Sequence, residues 1–212
     1  MAVLFPTAYF PTIDYMAQLS RYDNIAIELH ETFPKQTYRN RTAISTGNGI
    51  LLLTVPTIRT QGNHTTTKDI EISHQESWHI RHWRAIVSAY NAAPYFLYYR
   101  DGIEPILYQP WQHLVDLNDA LLKHLLTVLK IRCSITHTQH YTPNSMHAHN
   151  NIVADYRANI CSKHPQTYAE HPTYCQVFSS RYGFLPNLSI LDLLFNLGPE
   201  SKGYLQRIVE MS

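Results

Sequence analysis

The pattern of residues 24–56, NIAIELHETFPKQTYRNRTAISTGNGILLLTVP, constrains this chain most. Ile25, Ile27 and Leu29 alternate with Ala26, Glu28 and His30, and a period of two predicts a β-strand over 25–30. A polar loop follows over 31–41, with the cations Lys35, Arg39 and Arg41 and the amides Gln36 and Asn40. Two β-prone runs, 43–45 and 50–55, then flank Thr46-Gly47-Asn48-Gly49, which predicts a β-hairpin. The loop is therefore clamped between two predicted strands, where side chains can be held with precision.

What precedes this stretch sets its direction. Residues 2–5 read as a strand. Residues 12–20 read as a short helix that starts at Thr12 or Pro11, with Asp14 in its first turn. Strand, helix and strand within about 30 residues predict a βαβ unit with parallel strands and a right-handed crossover. Thr7, Tyr9, His30 and Glu31 then fall at one carboxyl edge, where open α/β sheets bind ligands.

Beyond Pro56, residues 57–67 are polar and read as a loop, and 69–73 alternate as a strand. Residues 78–90 form a helix begun by Ser77, and 93–99 begin another with Pro94 in its first turn. Leu114, Leu117, Leu121, Leu125 and Val128 recur at helical spacing within 111–129. Residues 133–137 and 174–178 read as strands and 151–161 as a helix. Ser189 caps a helix that Gly198 and Pro199 stop, and 200–209 form a last one. The expectation is a single α/β domain over 1–212, with a mixed sheet, a βαβ start, an antiparallel hairpin and helices on both faces.

Composition excludes some classes. The net charge of +1 shows no basic excess, which argues against a nucleic-acid partner. The 15 tyrosines suit both cores and sugar-binding clefts, so their number leaves both open. Cys133, Cys161 and Cys175 cannot all pair and show no Cys-x-x-Cys spacing, so free thiols in a reducing compartment are expected. The N-terminus lacks a basic region, and Pro6 and Pro11 interrupt its apolar run, unlike a signal peptide. No uncharged run reaches the about 20 residues of a membrane helix. No membrane insertion and a cytoplasmic location are expected.

The order His30-Glu31-x-x-x-Lys35-Gln36-Thr37-Tyr38-Arg39-Asn40-Arg41, followed by a hairpin ending Leu53-Thr54-Val55-Pro56, resembles the WbqC-like protein family. So do Phe5-Pro6-Thr7-Ala8-Tyr9-Phe10-Pro11, and Trp78 with His82-Trp83-Arg84-Ala85-Ile86 and Ala93-Pro94-Tyr95-Phe96. The run from Gly183 through Pro186-Asn187-Leu188-Ser189 to Asn196 completes the likeness, in the same order along nearly the whole chain. The resemblance implies a link to surface-polysaccharide assembly of the O-antigen type, and glycine or another aminoacyl group as the group transferred. It assigns no role to any residue.

The residues themselves suggest chemistry. Glu28 and His30 share a strand face about 7 Å apart, and a carboxylate that orients an imidazole makes a general base. The alternative is a pair of satisfied polar groups beside the loop. Lys35, Arg39 and Arg41, with Gln36 and Asn40, suit an anionic ligand such as a nucleotide-linked sugar, because guanidinium forks match phosphate and carboxylate. The alternative is that the arginines tie the loop to the core.

Thr7, Tyr9, Glu28, His30 and Arg41 are expected to line one cleft. Residues 138–172 hold five of the 13 histidines, His140, His147, His149, His164 and His171. Neither they nor His79, His82 and His137 show a zinc framework, so no metal or cofactor is expected. Cys175 reads as a buried strand thiol, and the approach to Ser189 as a helix cap. The rival to a transferase is a non-catalytic protein that holds a glycan precursor or another enzyme of the pathway.

Overall fold

The computed structural model describes residues 2–143, 152–158, 168 and 170–211. The βαβ start is present. Strand β1 (Ala2–Pro6) leads to helix α1 (Ile13–Leu19) and strand β2 (Asn24–Glu28). Thr12 caps α1, its Oγ1 accepting from the Tyr15 amide at 3.3 Å. Every residue of α1 is buried, so burial rather than propensity stabilises this short helix. β1 and β2 pair in parallel, Leu4 opposite Ala26 and Phe5 opposite Ile27.

Two later strands extend the sheet. β7 (Ser134–His137) pairs in parallel with β2, and β8 (Ile152–Asp155) in parallel with β1. The order is β7-β2-β1-β8. The antiparallel pairs stand beside this sheet as two-stranded units: β3 (Arg41–Thr46) with β4 (Gly49–Thr54), and β5 (Thr57–Arg59) with β6 (Ile70–Ile72). The β3–β4 hairpin is joined to the body through side chains and caps. Thr42 Oγ1 donates to the Phe10 carbonyl at 2.8 Å, and the Ser189 amide donates to the Ala43 carbonyl at 2.8 Å.

The helices are α2 (Trp78–Tyr90), α3 (Phe96–Tyr108), α4 (Leu114–Val128), α5 (Ser179–Tyr182), α6 (Ile190–Leu197) and α7 (Ser201–Glu210). Ser189 caps α6 as the sequence predicts, its Oγ accepting from the Leu191 amide. Tyr9, Tyr15, Tyr90 and Tyr204 are buried with Trp78, Phe96 and Phe195, so much of the tyrosine content belongs to the core. Among the described residues no helix is long and apolar enough to cross a membrane.

Five local expectations are corrected. Residues 57–67 are not all loop, because Thr57 finds a distant partner in Ile72. Pro94 precedes α3 rather than lying in its first turn. The helix expected over 151–161 is a strand over Ile152–Asp155, since Ile152 and Ala154 pair with Ala2 and Val3; residues 151 and 159–161 lie outside the described residues. Residues 174–178 form no ladder with any described residue. The Gln176 side chain takes that place, accepting from the Leu185 amide and donating to its carbonyl, both at 2.9 Å. Cys175 is exposed rather than buried; it and Cys133 are free thiols, and Cys161 lies outside the described residues.

Candidate functional site

Because β1, β2, β7 and β8 run in parallel, their last residues, Pro6, Glu28, His137 and Asp155, share one edge of the sheet. The chain leaving β2, β7 and β8 builds a cleft of about 540 Å³ there. Its walls are His30, Glu31, Thr32, Pro34, Arg39, Tyr141, Asp155, Arg157 and Ala158. That volume suits a small organic ligand.

Arg157 is the hub. Its Nη1 lies 3.2 Å from Glu28 Oε2, and its Nε lies 2.9 and 3.0 Å from the two Asp155 oxygens. Its Nη2 reaches Asp155 Oδ2 at 2.5 Å and the Thr142 carbonyl at 2.9 Å. The guanidinium also lies 5.4 Å from the Tyr141 ring centre. Burial opposes its charge, but the Asp155 bonds and the Glu28 carboxylate outweigh this and raise its pKa above the ordinary value. One guanidinium thus joins the ends of two strands to the segment after a third.

A second pair lies beside it. Arg39 Nε donates to Glu31 Oε1 at 2.7 Å, and Arg39 is 2 % exposed. Burial raises the Glu31 pKa, and the Arg39 ion pair works against that rise. Around this cleft three carboxylates, Glu28, Glu31 and Asp155, meet two guanidiniums, Arg39 and Arg157.

Glu28 does not orient the imidazole of His30. It is fully buried, and its Oε1 accepts from the His30 main-chain amide at 2.7 Å and from Thr138 Oγ1 at 3.0 Å. The strand ends at Glu28, so His30 is not on its face two residues later. The ring is held instead by the Thr138 carbonyl, 3.1 Å from Nε2. A carbonyl only accepts, so Nε2 carries a hydrogen, and the tautomer this selects has its lone pair on Nδ1.

The expected cleft is corrected accordingly. His30 and Arg39 line it, while Thr7, Tyr9, Glu28 and Arg41 are absent from its walls. Thr7 is buried and accepts from Asn118 Nδ2 at 3.0 Å; the same nitrogen donates to the Arg39 carbonyl at 2.8 Å. Tyr9 is in the core, its hydroxyl 2.9 Å from His82 Nδ1. Asn40 braces the hairpin base by donating to the Val55 carbonyl at 3.0 Å. Arg41 opens β3, and its Nε is buried with no hydrogen-bond partner among the described residues. Lys35 and Gln36 line an adjoining recess of about 210 Å³ that shares Pro34, Arg39, Arg157 and Ala158 with the cleft.

Arg157, Asp155, Tyr141 and Thr138 escape a reading of the sequence. The signal for the first two is the Asp155-Tyr156-Arg157 triplet closing a β-branched run, which a helical reading of the region hides. Among the described histidines, His137 pairs with Asp119 at 2.7 Å and His171 with Asp14 at 2.6 Å; His147, His149 and His164 lie outside the described residues. Among the described residues no three of His, Cys, Asp and Glu converge on a point that would hold a metal ion.

The chain is 28 % identical over 230 aligned residues to the "Uncharacterized protein Rv1507c" of Mycobacterium tuberculosis (strain ATCC 25618 / H37Rv), across 93 % of this chain and 91 % of that protein. No solved structure matches it. The sequence profile of the WbqC-like protein family matches residues 7–167 and 154–204. The chain therefore belongs to the WbqC-like protein family.

Proposed function

We propose that this cleft is the active site of a cytoplasmic enzyme of surface-polysaccharide (O-antigen type) assembly, one that transfers an acyl or aminoacyl group, of the glycine type, to the amine of an amino-sugar precursor. The observation that carries the reading is His30: it lines the cleft, and its Nε2 is committed to the Thr138 carbonyl, which leaves Nδ1 as the nitrogen that can act as a base. In the proposed step the amine nitrogen attacks the acyl carbonyl carbon. Nδ1 takes the N–H proton as the N–C bond forms. The donor's leaving group departs with the electrons of the broken bond and receives that proton.

The charge balance supports an amine. Counting buried Glu28, three carboxylates stand against two guanidiniums, and Glu31 and Asp155 line the walls, so an incoming ammonium group meets one net negative charge. The Tyr141 ring, with its residue 53 % exposed, provides an apolar face for a sugar. Lys35, exposed at the adjoining recess, is placed for the phosphate of a nucleotide-linked sugar. The expected anion clamp thereby falls to Lys35.

The second reading, a binding protein of the same pathway, is favoured by the same ion pairs. They make the cleft complete and rigid with no reacting group required. The deciding experiment incubates the protein with nucleotide-linked amino sugars and acyl or aminoacyl donors, with product followed by mass spectrometry. His30→Gln is expected to lower turnover by about 10²–10⁴ while leaving sugar affinity nearly unchanged. Full turnover in that variant removes the base assignment, and saturable sugar binding without product from any donor establishes the binding reading.

A further inference from the structure

Among the described residues strand β4 has an open edge. Among the described residues its one ladder partner is β3. In an antiparallel ladder, alternate residue pairs exchange hydrogen bonds and the pairs between them point their amides and carbonyls outward. The Val55 amide donates to the Asn40 carbonyl at 2.8 Å, which sets the parity: Thr42 exchanges bonds with Leu53, and Ile44 with Leu51. The amides and carbonyls of Ile50, Leu52 and Thr54 therefore point away from β3. Thr54 is engaged through its main chain with His82. Ile50 and Leu52 keep four outward groups. The far edge of β3 differs, because its Ala43 carbonyl already accepts from Ser189.

The side chains of this edge are unprotected as well. Ile50 is 57 % exposed, Leu51 40 % and Leu52 53 %. No charged residue occurs from position 47 to 57, although charges are a common means of keeping an edge strand from pairing. The hairpin tip is pinned: the Gly47 carbonyl accepts from Tyr182 Oη at 2.8 Å and from Arg181 Nη1. The edge is presented in a fixed shape, which lowers the entropy lost on pairing.

We propose that β4 pairs antiparallel with β4 of a second copy of this chain, about a two-fold axis at Leu51, to form a continuous four-stranded sheet. Ile50 of each copy exchanges hydrogen bonds with Leu52 of the other, and Leu51 faces Leu51. The second copy is the occupant because the outward groups lie symmetrically about Leu51, so the edge is complementary to itself. Two uncharged strands also bring no like charges together. A single strand pair is small for an interface, so association in the micromolar range is expected.

Sedimentation velocity of the full chain from micromolar to submillimolar concentration should show a monomer–dimer equilibrium, shifted to monomer by Leu52→Lys. In the wild-type protein the Ile50 and Leu52 amides should gain protection from hydrogen exchange as concentration rises, a readout that stands even where the lysine variant folds poorly. In a chain with Cys133, Cys161 and Cys175 replaced by serine, Leu51→Cys should oxidise readily to a disulfide dimer. The facing Cα atoms would be about 4.5 Å apart. Ile50→Cys, which has no copy of itself opposite, should not. A monomer at every concentration, a dimer with unprotected Ile50 and Leu52 amides, or equal cross-linking at both positions overturns the proposal.

Discussion

The carboxyl end of β2 and the edge of β4 belong to one stretch of sequence and meet their polar groups in opposite ways. At the first, Glu28 is fully buried, and its carboxylate accepts from Arg157, from Thr138 and from the His30 amide. At the second, the outward amides and carbonyls of Ile50 and Leu52 lie at the surface among exposed aliphatic side chains. The difference follows from solvent. A buried charge without a partner costs several kcal/mol, so its partners must converge from within the fold. An exposed amide is satisfied by water at little cost, so its partner can come from another molecule.

The largest test of this contrast is Arg157→Met. It leaves Glu28 and Asp155 without their shared cation, and breaking such a buried pair costs about 3–5 kcal/mol. Urea denaturation at neutral pH should show that loss. The deficit should shrink in acid, where protonation can neutralise the orphaned carboxylates. An unchanged midpoint would mean that the corner is solvated rather than closed.

A somewhat smaller effect is expected at His82, where the base of the hairpin meets α2. Burial chiefly, with the charge of Arg81, lowers its pKa from 6.5 to about 4. The unfolded chain takes up this proton below about 6.5, and the folded one only near 4. Stability should therefore fall as pH drops across that window and level off below it, by on the order of 3 kcal/mol from this group. The difference in unfolding free energy between the wild type and His82→Gln, followed from pH 7 downward, isolates it from the carboxylates. A constant difference would show that the ring is charged throughout or neutral in both states.

The smallest effect sharpens the other side. Leu52→Thr changes an exposed position, and the monomer's unfolding free energy should move by no more than about 0.5 kcal/mol. Chemical denaturation at low protein concentration checks this. A loss several times larger would show that Leu52 is held by the chain's own packing.

How legible each region was in the sequence follows the same division. The hairpin turn, α4 and the Ser189 cap rest on contacts within a few residues, and the βαβ start joins strands that are neighbours in chain order, so periodicity and cap chemistry reveal them. His30 and Arg39 were found because they sit in the loop next to a strand. Arg157 was not, because the sheet position of β8 depends on pairing with β1 at the other end of the chain. The sequence pattern singles out Glu28 and points it to the wrong partner. Its neighbour in sequence is the His30 main chain, while its charge partner is 129 residues away.

The sequence by itself determined the family, the α/β class, the parallel opening unit and the uncharged character of β4, because these follow from residue order and local period. Only the tertiary structure decided which charges meet. It matched Arg39 and Arg157 to Glu28, Glu31 and Asp155, turned Nε2 of His30 toward Thr138, and left one edge of the hairpin without a ladder partner among the described residues. The physical reason is that a side chain's partner in a folded chain is chosen by the sheet order β7-β2-β1-β8, which joins segments far apart in sequence, and no local pattern encodes that order.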